Sequence, residues 1–391
     1  MKIAFINSSY EPGKDGPGDY TRLLAQELER RGWRCGLFSF ADRQSQHYLE
    51  ESQSGISTFR FSKNQSWEKR FEGLRKSIQK FEPDVLSLGI VSYALHPKGI
   101  VRGFAKEFAG LNGQGLPWHL MYQEIWIGAH REATMKDRIV GWIQKRYLVE
   151  FSRILKPQWT DCWNPVHQEC LRKAGVHAAI LPIMSTIAVH PELKENEGWD
   201  EVIEDNDELK SSKRDRYWAI GFFGTLHPIW PSEPLFSKLR NLAQVKNKKL
   251  VFVALGDLRS GKALWEKLKN HYQTDCVFIN KGESSSEKIS RMIQSFDFGI
   301  ATTPWQILGK SSTAAAFFEH GVPVIVNREE SYGYSDKIES FNHPLAIRMD
   351  ERFEEKILAA KKGPAKAVLP EVADLFVSRL RPLPLENKSW I

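Results

Sequence analysis

The sequence has few cysteines and lacks any long run of apolar residues. Its 391 residues include four cysteines, none in a C-x-x-C pair or accompanied by paired histidines, which argues against a zinc site and a disulfide framework. No stretch approaches the roughly 18 to 20 apolar residues of a membrane span. The apolar run in the opening KIAFIN is too short for a secretory signal. We therefore expect a reduced cytoplasmic protein, at most peripheral at the inner face of a membrane.

The charge of the chain is not concentrated in one segment. The net charge of +7 comes from 55 Lys and Arg against 48 Asp and Glu, spread along the sequence. A nucleic-acid partner would need a concentrated basic stripe, so we expect an acidic small ligand or a weak association with an anionic membrane surface instead. The densest basic and aromatic stretch, residues 66–81, has apolar side chains at helical spacing. This predicts a core-facing helix, with docking on anionic lipid as the alternative.

Strand and helix patterns alternate along the chain in two series. Apolar runs such as KIAFIN, CGLFSF and VLSLGIV belong to the first series, and YWAIGFFG, KLVFVALG and VPVIV to the second. This rhythm predicts an α/β protein with two doubly wound Rossmann-like domains that face each other across a cleft, with ligands beyond the carboxyl ends of the strands. The expected boundaries are 1–190 for the N-terminal domain, 191–215 for a charged linker or loop, 216–370 for the C-terminal domain, and 371–391 for a tail that packs back on the first domain.

Two Gly-Lys pairs match part of the P-loop motif of nucleoside triphosphatases, but neither has all of its residues. Upstream of Lys310, the position that requires a glycine holds Pro304, which has no N–H to offer a phosphate. The loop from Gly256 to Lys262 has the right spacing, but Ala263 follows where Ser or Thr must hold Mg²⁺. A P-loop enzyme or other nucleotide-binding enzyme is therefore an alternative rather than the main prediction.

The segment around Lys310 predicts a different kind of phosphate site. The strand pattern DFGIATT runs into a loop, Ser311, Ser312 and Thr313 offer an N-cap, and AAAFFEH has helical composition. A helix N-terminus presents free N–H groups and a partial positive charge. A diphosphate bound there, helped by the Lys310 ammonium, is one interpretation, and simple helix capping is the other.

Several stretches together resemble the GT-B glycosyltransferases, most of all the large retaining family 4. They are the glycine loop and helix GKDGPGDYTRLLAQELERRGW, the strand and loop FFGTLHP, and the helix and strand AAAFFEHGVPVIV. The resemblance implies a hexosyltransferase-like enzyme that binds a nucleotide-diphosphate sugar in its C-terminal half. A carbohydrate, lipid-linked or small-molecule acceptor is then expected in the N-terminal half. The resemblance also implies retention, no metal, and no cofactor, since the nucleotide sugar is the substrate.

The sequence departs from the family pattern at three places. The two glutamates that the family carries eight residues apart are replaced by Leu308 and Ala316. Thr225 and His227 stand where the family often has Arg and Lys after the first strand of the donor domain. Glu124 stands near a strand end where a histidine is expected. A GT-B-like protein that binds sugars or partners without turnover is therefore a third interpretation.

The resemblance and the local chemistry together suggest roles for individual residues. Glu124 would orient an acceptor hydroxyl and His227 would donate to the leaving diphosphate, with a buried ion pair and a structural histidine as the respective alternatives. Glu319 would contact the ribose or join a buried network. The catalytic candidates are Glu124 and His227, and the candidates for binding the donor diphosphate are Thr225, Lys262, Lys310, Ser311, Ser312 and Thr313. The candidates for the ribose or base of the donor are Glu319 and Asn280, and those for the acceptor, in the glycine loop, are Gly16, Gly18 and Asp19.

Overall fold

The computed structural model describes residues 1–53, 55–113, 115–190, 196–332 and 342–380, and the chain divides into two compact units. Among the described residues, the first unit comprises Met1–Pro182, Tyr332 and the C-terminal segment that starts at Leu369. The second comprises Ile183–Ser331 and the segment that ends at Val368. Each unit has its own largely parallel sheet, so the prediction of two doubly wound α/β domains is confirmed.

Eight strands form the sheet of the first unit. They are β1 Lys2–Asn7, β2 Arg34–Asp42, β3 Leu49–Gln53, β4 Ile56–Ser62, β5 Val85–Ile90, β6 Trp118–Tyr122, β7 Trp159–Cys162 and β8 Ala179–Ile180. Their order is β3-β4-β2-β1-β5-β6-β7-β8, and only the β3–β4 pair is antiparallel. The central strands are buried on both faces, which explains why their sequences read as continuous apolar runs.

Six helices connect these strands, and polar side chains cap several of them. The helices are α1 Gly16–Arg30, α2 Trp67–Phe81, α3 Ser92–Leu95, α4 Phe104–Ala109, α5 Met135–Leu155 and α6 Pro165–Lys173. Ser66 caps α2 and Thr134 caps α5, each by accepting a hydrogen bond from an amide in the first turn. In α2, Phe71, Leu74 and Ile78 are buried, so the interpretation of residues 66–81 as a core-facing helix is confirmed.

Six parallel strands form the sheet of the second unit. They are β9 Tyr217–Phe223, β10 Lys249–Leu255, β11 Cys276–Gly282, β12 Phe298–Ile300, β13 Val324–Val326 and β14 Ala346–Arg348. The order is β11-β10-β9-β12-β13-β14, which is the 3-2-1-4-5-6 arrangement of a Rossmann fold.

The helices of the second unit pack on both faces of this sheet, and two cores result. The helices are α7 Glu197–Ile203, α8 Asp207–Lys210, α9 Glu233–Val245, α10 Lys262–Tyr272, α11 Ser286–Ser295, α12 Ser312–Glu319 and α13 Phe353–Ala359. A 3₁₀ segment, Trp305–Lys310, precedes α12. In the described ranges, no helix combines the length and the apolar character needed to cross a bilayer.

The prediction of a charged linker at 191–215 is wrong for the part of it that the structure describes, and residues 191–195 lie outside that part. The second unit starts at Ile183 rather than after residue 190, and most of the supposed linker forms α7 and α8. Trp199, Val202 and Ile203 are buried in the core of the second unit. Their helical spacing was hidden by the many charged residues between them, which form the solvated face of the same helix.

The last described helix, α14 Leu369–Leu380, belongs to the first unit. The ring of Phe376 lies 5.7 Å from that of Phe5 in β1, and Arg31 pairs with Asp374 at 2.6 Å. Leu375, one residue before Phe376, is 40% exposed. The expected tail 371–391 is described only as far as residue 380, and the rest lies outside the described residues.

A buried polar chain links α14 to the four neighbouring strands β5, β6, β7 and β8. Ser87 Oγ lies 2.8 Å from His119 Nδ1, and His119 Nε2 lies 3.1 Å from the Asp161 carboxylate. Arg379 of α14 pairs with the same carboxylate and donates to the carbonyl of Ile180 at 2.8 Å. Because Ser87, His119 and Asp161 are buried, this chain satisfies polar groups that would otherwise be costly inside the unit. It therefore anchors α14 rather than forming an accessible site.

Candidate functional site

The central strands β9 and β12 of the second sheet meet at a topological switch point. From β9 the sheet continues to β10 on one side, whereas β12 begins the half that continues to β13 and β14. Ligands of open parallel sheets bind beyond the carboxyl ends of the strands at such a point, because the two connecting loops diverge there. The loops that follow Phe223 and Ile300 are therefore the first place to look for a site.

Two paired glycines let α12 lie close to the sheet at this point. Gly221 of β9 is opposite Gly299 of β12. A Cβ on Gly299 would lie 2.4 Å from the ring of Phe317, and a Cβ on Gly221 would lie 3.1 Å from it. Phe317 belongs to α12 and is fully buried. The absence of a side chain at Gly299 therefore sets how closely α12 approaches the strands, whereas Gly221 mainly makes room for the ring of Phe296, which a Cβ there would meet at 2.3 Å.

The start of α12 is tied to the end of β9. The Thr313 hydroxyl donates to the carbonyl oxygen of Phe223 at 2.8 Å, and Ser311 Oγ accepts from the amide of Ala314 at 3.2 Å. Within the part of the chain that the structure describes, the amides of Ser312 and Thr313 have no acceptor. Free amides at a helix start carry a partial positive charge, so these two donors are suited to an anion.

Lys310 adds a full positive charge immediately before this helix. Its side chain is half-buried and makes no hydrogen bond or ion pair with any described residue. The neighbouring Ser311 is buried and acts as the N-cap. A lysine without a carboxylate partner beside a helix N-terminus concentrates positive potential at one place. Lys310, Ser311, Ser312 and Thr313 are consecutive at the start of α12, and their binding of a diphosphate stays a prediction.

The loop that follows β9 contributes the other side of the switch point. Gly224 has a φ of +70°, which permits the chain to turn directly after the strand. Thr225 is exposed and His227 is half-buried. Burial lowers the pKa of His227, and the Arg328 guanidinium lowers it further. His227 Nδ1 accepts a long hydrogen bond of 3.4 Å from the amide of Ile229, so a neutral imidazole would carry its proton on Nε2.

Arg328 is a residue of this region that the sequence did not reveal as a candidate. It lies just after β13, where its carbonyl accepts from the Trp305 amide at 2.9 Å and its guanidinium pairs with Glu330. Its charge acts on His227 although the two residues follow different strands. The only signal in the sequence was a charged run, NREE, directly after the strand pattern VPVIV.

Two of the predicted donor residues are not gathered around α12. Lys262 pairs with Asp257 at 3.1 Å, and its side chain is 70% exposed. Asn280 is exposed on β11, the outermost strand on its side of the sheet, and its Oδ1 accepts from the amide of Gly282 at 3.1 Å. The Gly256–Lys262 loop thus uses its lysine in a local ion pair.

Glu319 lies at the other end of α12 and is buried. Its carboxylate accepts from the Ser185 amide at 2.5 Å and from the Val368 amide at 3.1 Å. Burial raises the pKa of this carboxyl group, and the two amides oppose that shift. Both oxygens are thus used inside the second unit, which favours a structural role over contact with a ribose.

In the first unit, the glycine loop is held tightly at the start of α1. The Asp15 carboxylate caps the helix by accepting from the Gly18 amide at 3.0 Å. A Cβ on Gly18 would lie 2.0 Å from the carbonyl oxygen of Ser9, whereas one on Gly16 would meet nothing within 4 Å. Asp19 is buried, and its carboxylate accepts from the Gly13 amide and from Arg22. Gly18 and Asp19 therefore set the shape of the loop.

Glu124 and its neighbour Gln123 follow β6 in the same unit. Glu124 is half-buried, whereas Gln123 is fully buried. Gln123 Nε2 donates to the Pro17 carbonyl at 3.5 Å, and its Oε1 has no hydrogen-bond partner among the described residues. A Cβ on Gly89 would lie 2.9 Å from both Gln123 Oε1 and Asn7 Nδ2. Gln123 thus links the carboxyl end of β6 to the glycine loop, a role that the sequence did not indicate.

Metal-binding residues are not clustered in the described ranges. No group of three or more His, Cys, Asp or Glu side chains there could hold a metal ion. The four cysteines are buried free thiols, and burial raises the pKa of Cys162 and Cys170 to about 12. These thiols are consequently part of the packed interior.

We expect Gly299→Ala to lower the free energy of unfolding by about 1 to 3 kcal/mol, because the new methyl group overlaps the Phe317 ring. Chemical denaturation followed by tryptophan fluorescence measures this change. Gly363→Ala is the matched control, since its Cβ would make only ordinary contacts with Leu345, the nearest at 3.4 Å. Equal stability of the two variants would contradict the proposed packing of α12.

Comparison by sequence finds no protein family and no curated protein that matches this chain. Comparison by structure does find matches. Sucrose-phosphate synthase from Thermosynechococcus elongatus has a TM-score of 0.56 at 13% identity, covering 97% of this chain and 90% of that one. HepE from Anabaena in complex with UDP-glucose has a TM-score of 0.52 at 15% identity, with coverages of 84% and 81%. UDP-GlcNAc 2-epimerase from Methanocaldococcus jannaschii has a TM-score of 0.51 at 11% identity, with coverages of 96% and 100%.

Similarity at these identities concerns the fold and not the activity. The matched structures cover most of the chain and include the sheets of both units. The resemblance to family 4 in particular stays a prediction. The chain has the GT-B fold of two Rossmann-like domains.

Proposed function

We propose that this chain is a glycosyltransferase that binds the diphosphate of a nucleotide sugar at the start of α12. The observation that carries the proposal concerns the described residues, among which the Lys310 ammonium has no hydrogen-bond or ion-pair partner and the amides of Ser312 and Thr313 have no acceptor. These groups lie at the switch point of a Rossmann-like sheet, where phosphates of nucleotides commonly bind.

The chemistry of sugar transfer makes such a cluster useful. When the bond from the sugar to the diphosphate breaks, negative charge grows on the leaving phosphate oxygens. Fixed amide donors and an ammonium stabilise that charge without having to rearrange. In our proposal, the Lys310 cluster supplies this neutralisation, so that transfer does not depend on a divalent metal.

We also propose a role for His227 beside the diphosphate. Its pKa is lowered by burial and by Arg328, so the imidazole is neutral at physiological pH. A neutral ring whose Nδ1 accepts from a backbone amide offers Nε2–H as a donor. We propose that this donor contacts an oxygen of the nucleotide sugar, with exposed Thr225 on the same loop.

The acceptor is proposed to bind to the first unit, at the loop that Gly18 and Asp19 shape. Glu124 follows a strand of the same sheet and would accept a hydrogen bond from the hydroxyl group that attacks the sugar. The acceptor is a carbohydrate, a lipid-linked sugar or a small molecule, and retention of configuration is part of the proposal. The complex of HepE with UDP-glucose supports a nucleotide sugar as the donor.

The alternatives have less support from the contacts. A P-loop enzyme would use Lys262 on a phosphate, but that side chain is paired with Asp257, and Ala263 lacks the hydroxyl for Mg²⁺. A protein that binds sugars without turnover remains consistent with Leu308 and Ala316 at the positions of the family's glutamates. Binding and turnover therefore need separate tests.

We expect Lys310→Ala to weaken binding of UDP or another nucleoside diphosphate by about 1 to 3 kcal/mol, the value of a charge-assisted hydrogen bond. Isothermal titration calorimetry against UDP, GDP, ADP and dTDP measures the affinity. Lys262→Ala is the matched control, because it removes the lysine of the other Gly-Lys pair and should change affinity little. If Lys262→Ala loses affinity and Lys310→Ala does not, the diphosphate does not bind at the start of α12.

Turnover is tested by incubating the chain with nucleotide sugars and a panel of sugar and lipid-linked acceptors. We expect release of nucleoside diphosphate that depends on the acceptor and continues in EDTA, since Lys310 and the helix amides neutralise the phosphate. Tight binding without release would indicate a binding protein. Epimerisation of the sugar without transfer would indicate an isomerase instead, and strict Mg²⁺ dependence with triphosphate hydrolysis would support the P-loop alternative.

A further inference from the structure

Helix α5 of the first unit exposes a stripe of large apolar side chains. Met135, Ile139 and Trp142 are 74%, 58% and 66% exposed. Their spacing of four and three residues places them on one face over the first two turns. No other helix in the described ranges exposes three such side chains. Isolated exposed apolar residues are ordinary on protein surfaces, whereas a contiguous group indicates a contact surface.

The opposite face of α5 is firmly packed, so the stripe does not result from a loosely attached helix. Gly141 is buried, and a Cβ there would lie 1.9 Å from the carbonyl oxygen of Ile127. Gln144 is also buried, where Oε1 accepts from the Ile127 amide at 2.9 Å and Nε2 donates to the Lys98 carbonyl at 2.8 Å. These contacts fix the rotation of the helix and hence the direction of the stripe.

Basic residues accompany the apolar stripe. Lys136, Arg138, Lys145 and Arg146 lie on the first three turns of α5, and none of them pairs with a carboxylate in the part of the chain that the structure describes. The acidic residue among them, Asp137, is engaged with the N-cap Thr134, whose hydroxyl donates to its carboxylate at 2.7 Å. The surface around the stripe is therefore both apolar and positively charged.

We propose that this face of α5 docks the first unit onto an anionic phospholipid bilayer. Among the described residues, Arg138 donates to the Arg131 carbonyl and the Lys145 ammonium lies 5.4 Å from the Trp126 ring, but neither charge is neutralised by a carboxylate. A helix that buries one face in the protein and presents apolar side chains with such Lys and Arg matches an interfacial membrane contact, in which the apolar groups enter the headgroup region. A tryptophan is well suited to that depth, and the cations match the negative potential of anionic lipid. The inference does not depend on the proposed sugar transfer.

This assignment differs in location from the lipid contact considered for residues 66–81. In that segment, Phe71 and Leu74 face the core of the first unit, whereas in α5 the corresponding apolar side chains face outward. Of these two segments, α5 is the one that combines exposed apolar groups with basic residues that have no carboxylate partner among the described residues.

Co-sedimentation of the full chain with vesicles tests the proposal. We expect binding to phosphatidylcholine vesicles that contain phosphatidylglycerol, weak binding to pure phosphatidylcholine, and a decrease as the salt concentration rises. The double substitution Ile139→Ser/Trp142→Ser should reduce the partition coefficient by at least about tenfold, because two apolar side chains no longer enter the interface. Lys136→Gln/Arg146→Gln should reduce it by about fivefold for each charge removed.

Matched control variants show whether a loss of vesicle binding is specific to the α5 face. Val245→Ser removes an exposed apolar side chain at the end of α9, and Lys267→Gln/Lys269→Gln removes two exposed lysines from α10. Both controls should bind vesicles as the unchanged chain does, and circular dichroism should confirm that all variants are folded. Size-exclusion chromatography with light scattering tests whether the stripe instead joins two copies of the chain.

Several outcomes would overturn the proposal. They are equal binding to neutral vesicles, an equal loss in the controls, or a dimer that Ile139→Ser/Trp142→Ser dissociates in a chain that binds no vesicles. Failure of the membrane proposal can be told apart from failure of the proposed function. The α5 variants should keep the UDP affinity of the unchanged chain, and Lys310→Ala should keep its vesicle binding.

Discussion

The close approach of α12 to the second sheet is the constraint on which the candidate site depends. Because Gly299 carries no side chain, the ring of Phe317 lies directly against β12, opposite Gly221 of β9. The hydrogen bond from Thr313 to Phe223 then holds the first turn of the helix at the carboxyl end of β9. As a result, the start of α12 carries two amides without acceptors among the described residues, and it directly follows Lys310, which has no partner there either. The strand order alone would supply a crevice but not this concentration of positive charge.

The sequence was sufficient for the features that depend on local information. Strand and helix periodicity predicted both sheets, and the Ser-Ser-Thr run predicted the N-cap of α12, because capping involves residues within one turn. Prediction from the sequence failed for features that depend on packing between segments far apart in the chain. Trp199 was hidden in a charged segment, and the effect of Arg328 on His227 arises only because their strands end at the same edge of the sheet. Asn280 follows the strand pattern, but the sequence could not show that β11 is outermost.

The two units carry different surface chemistry. The second unit gathers positive groups at a helix start, which suits the diphosphate of a donor, and it uses buried Glu319 to hold its own backbone. The first unit places a tightly constrained glycine loop at the start of α1, where Gly18 is required by the proximity of Ser9. It also exposes the apolar and basic face of α5. The α5 face belongs to the first unit and the start of α12 to the second, so each can be altered by substitutions that leave the other unchanged.

The central claim is that the diphosphate of a nucleotide binds to the start of α12, and a crystal structure of the chain with UDP tests it most directly. Our account predicts a phosphate oxygen within hydrogen-bonding distance of the amides of Ser312 and Thr313, with the Lys310 ammonium in contact with the same diphosphate. A diphosphate bound instead along the loop from Gly256 to Lys262, with Lys310 remote from it, would contradict the account.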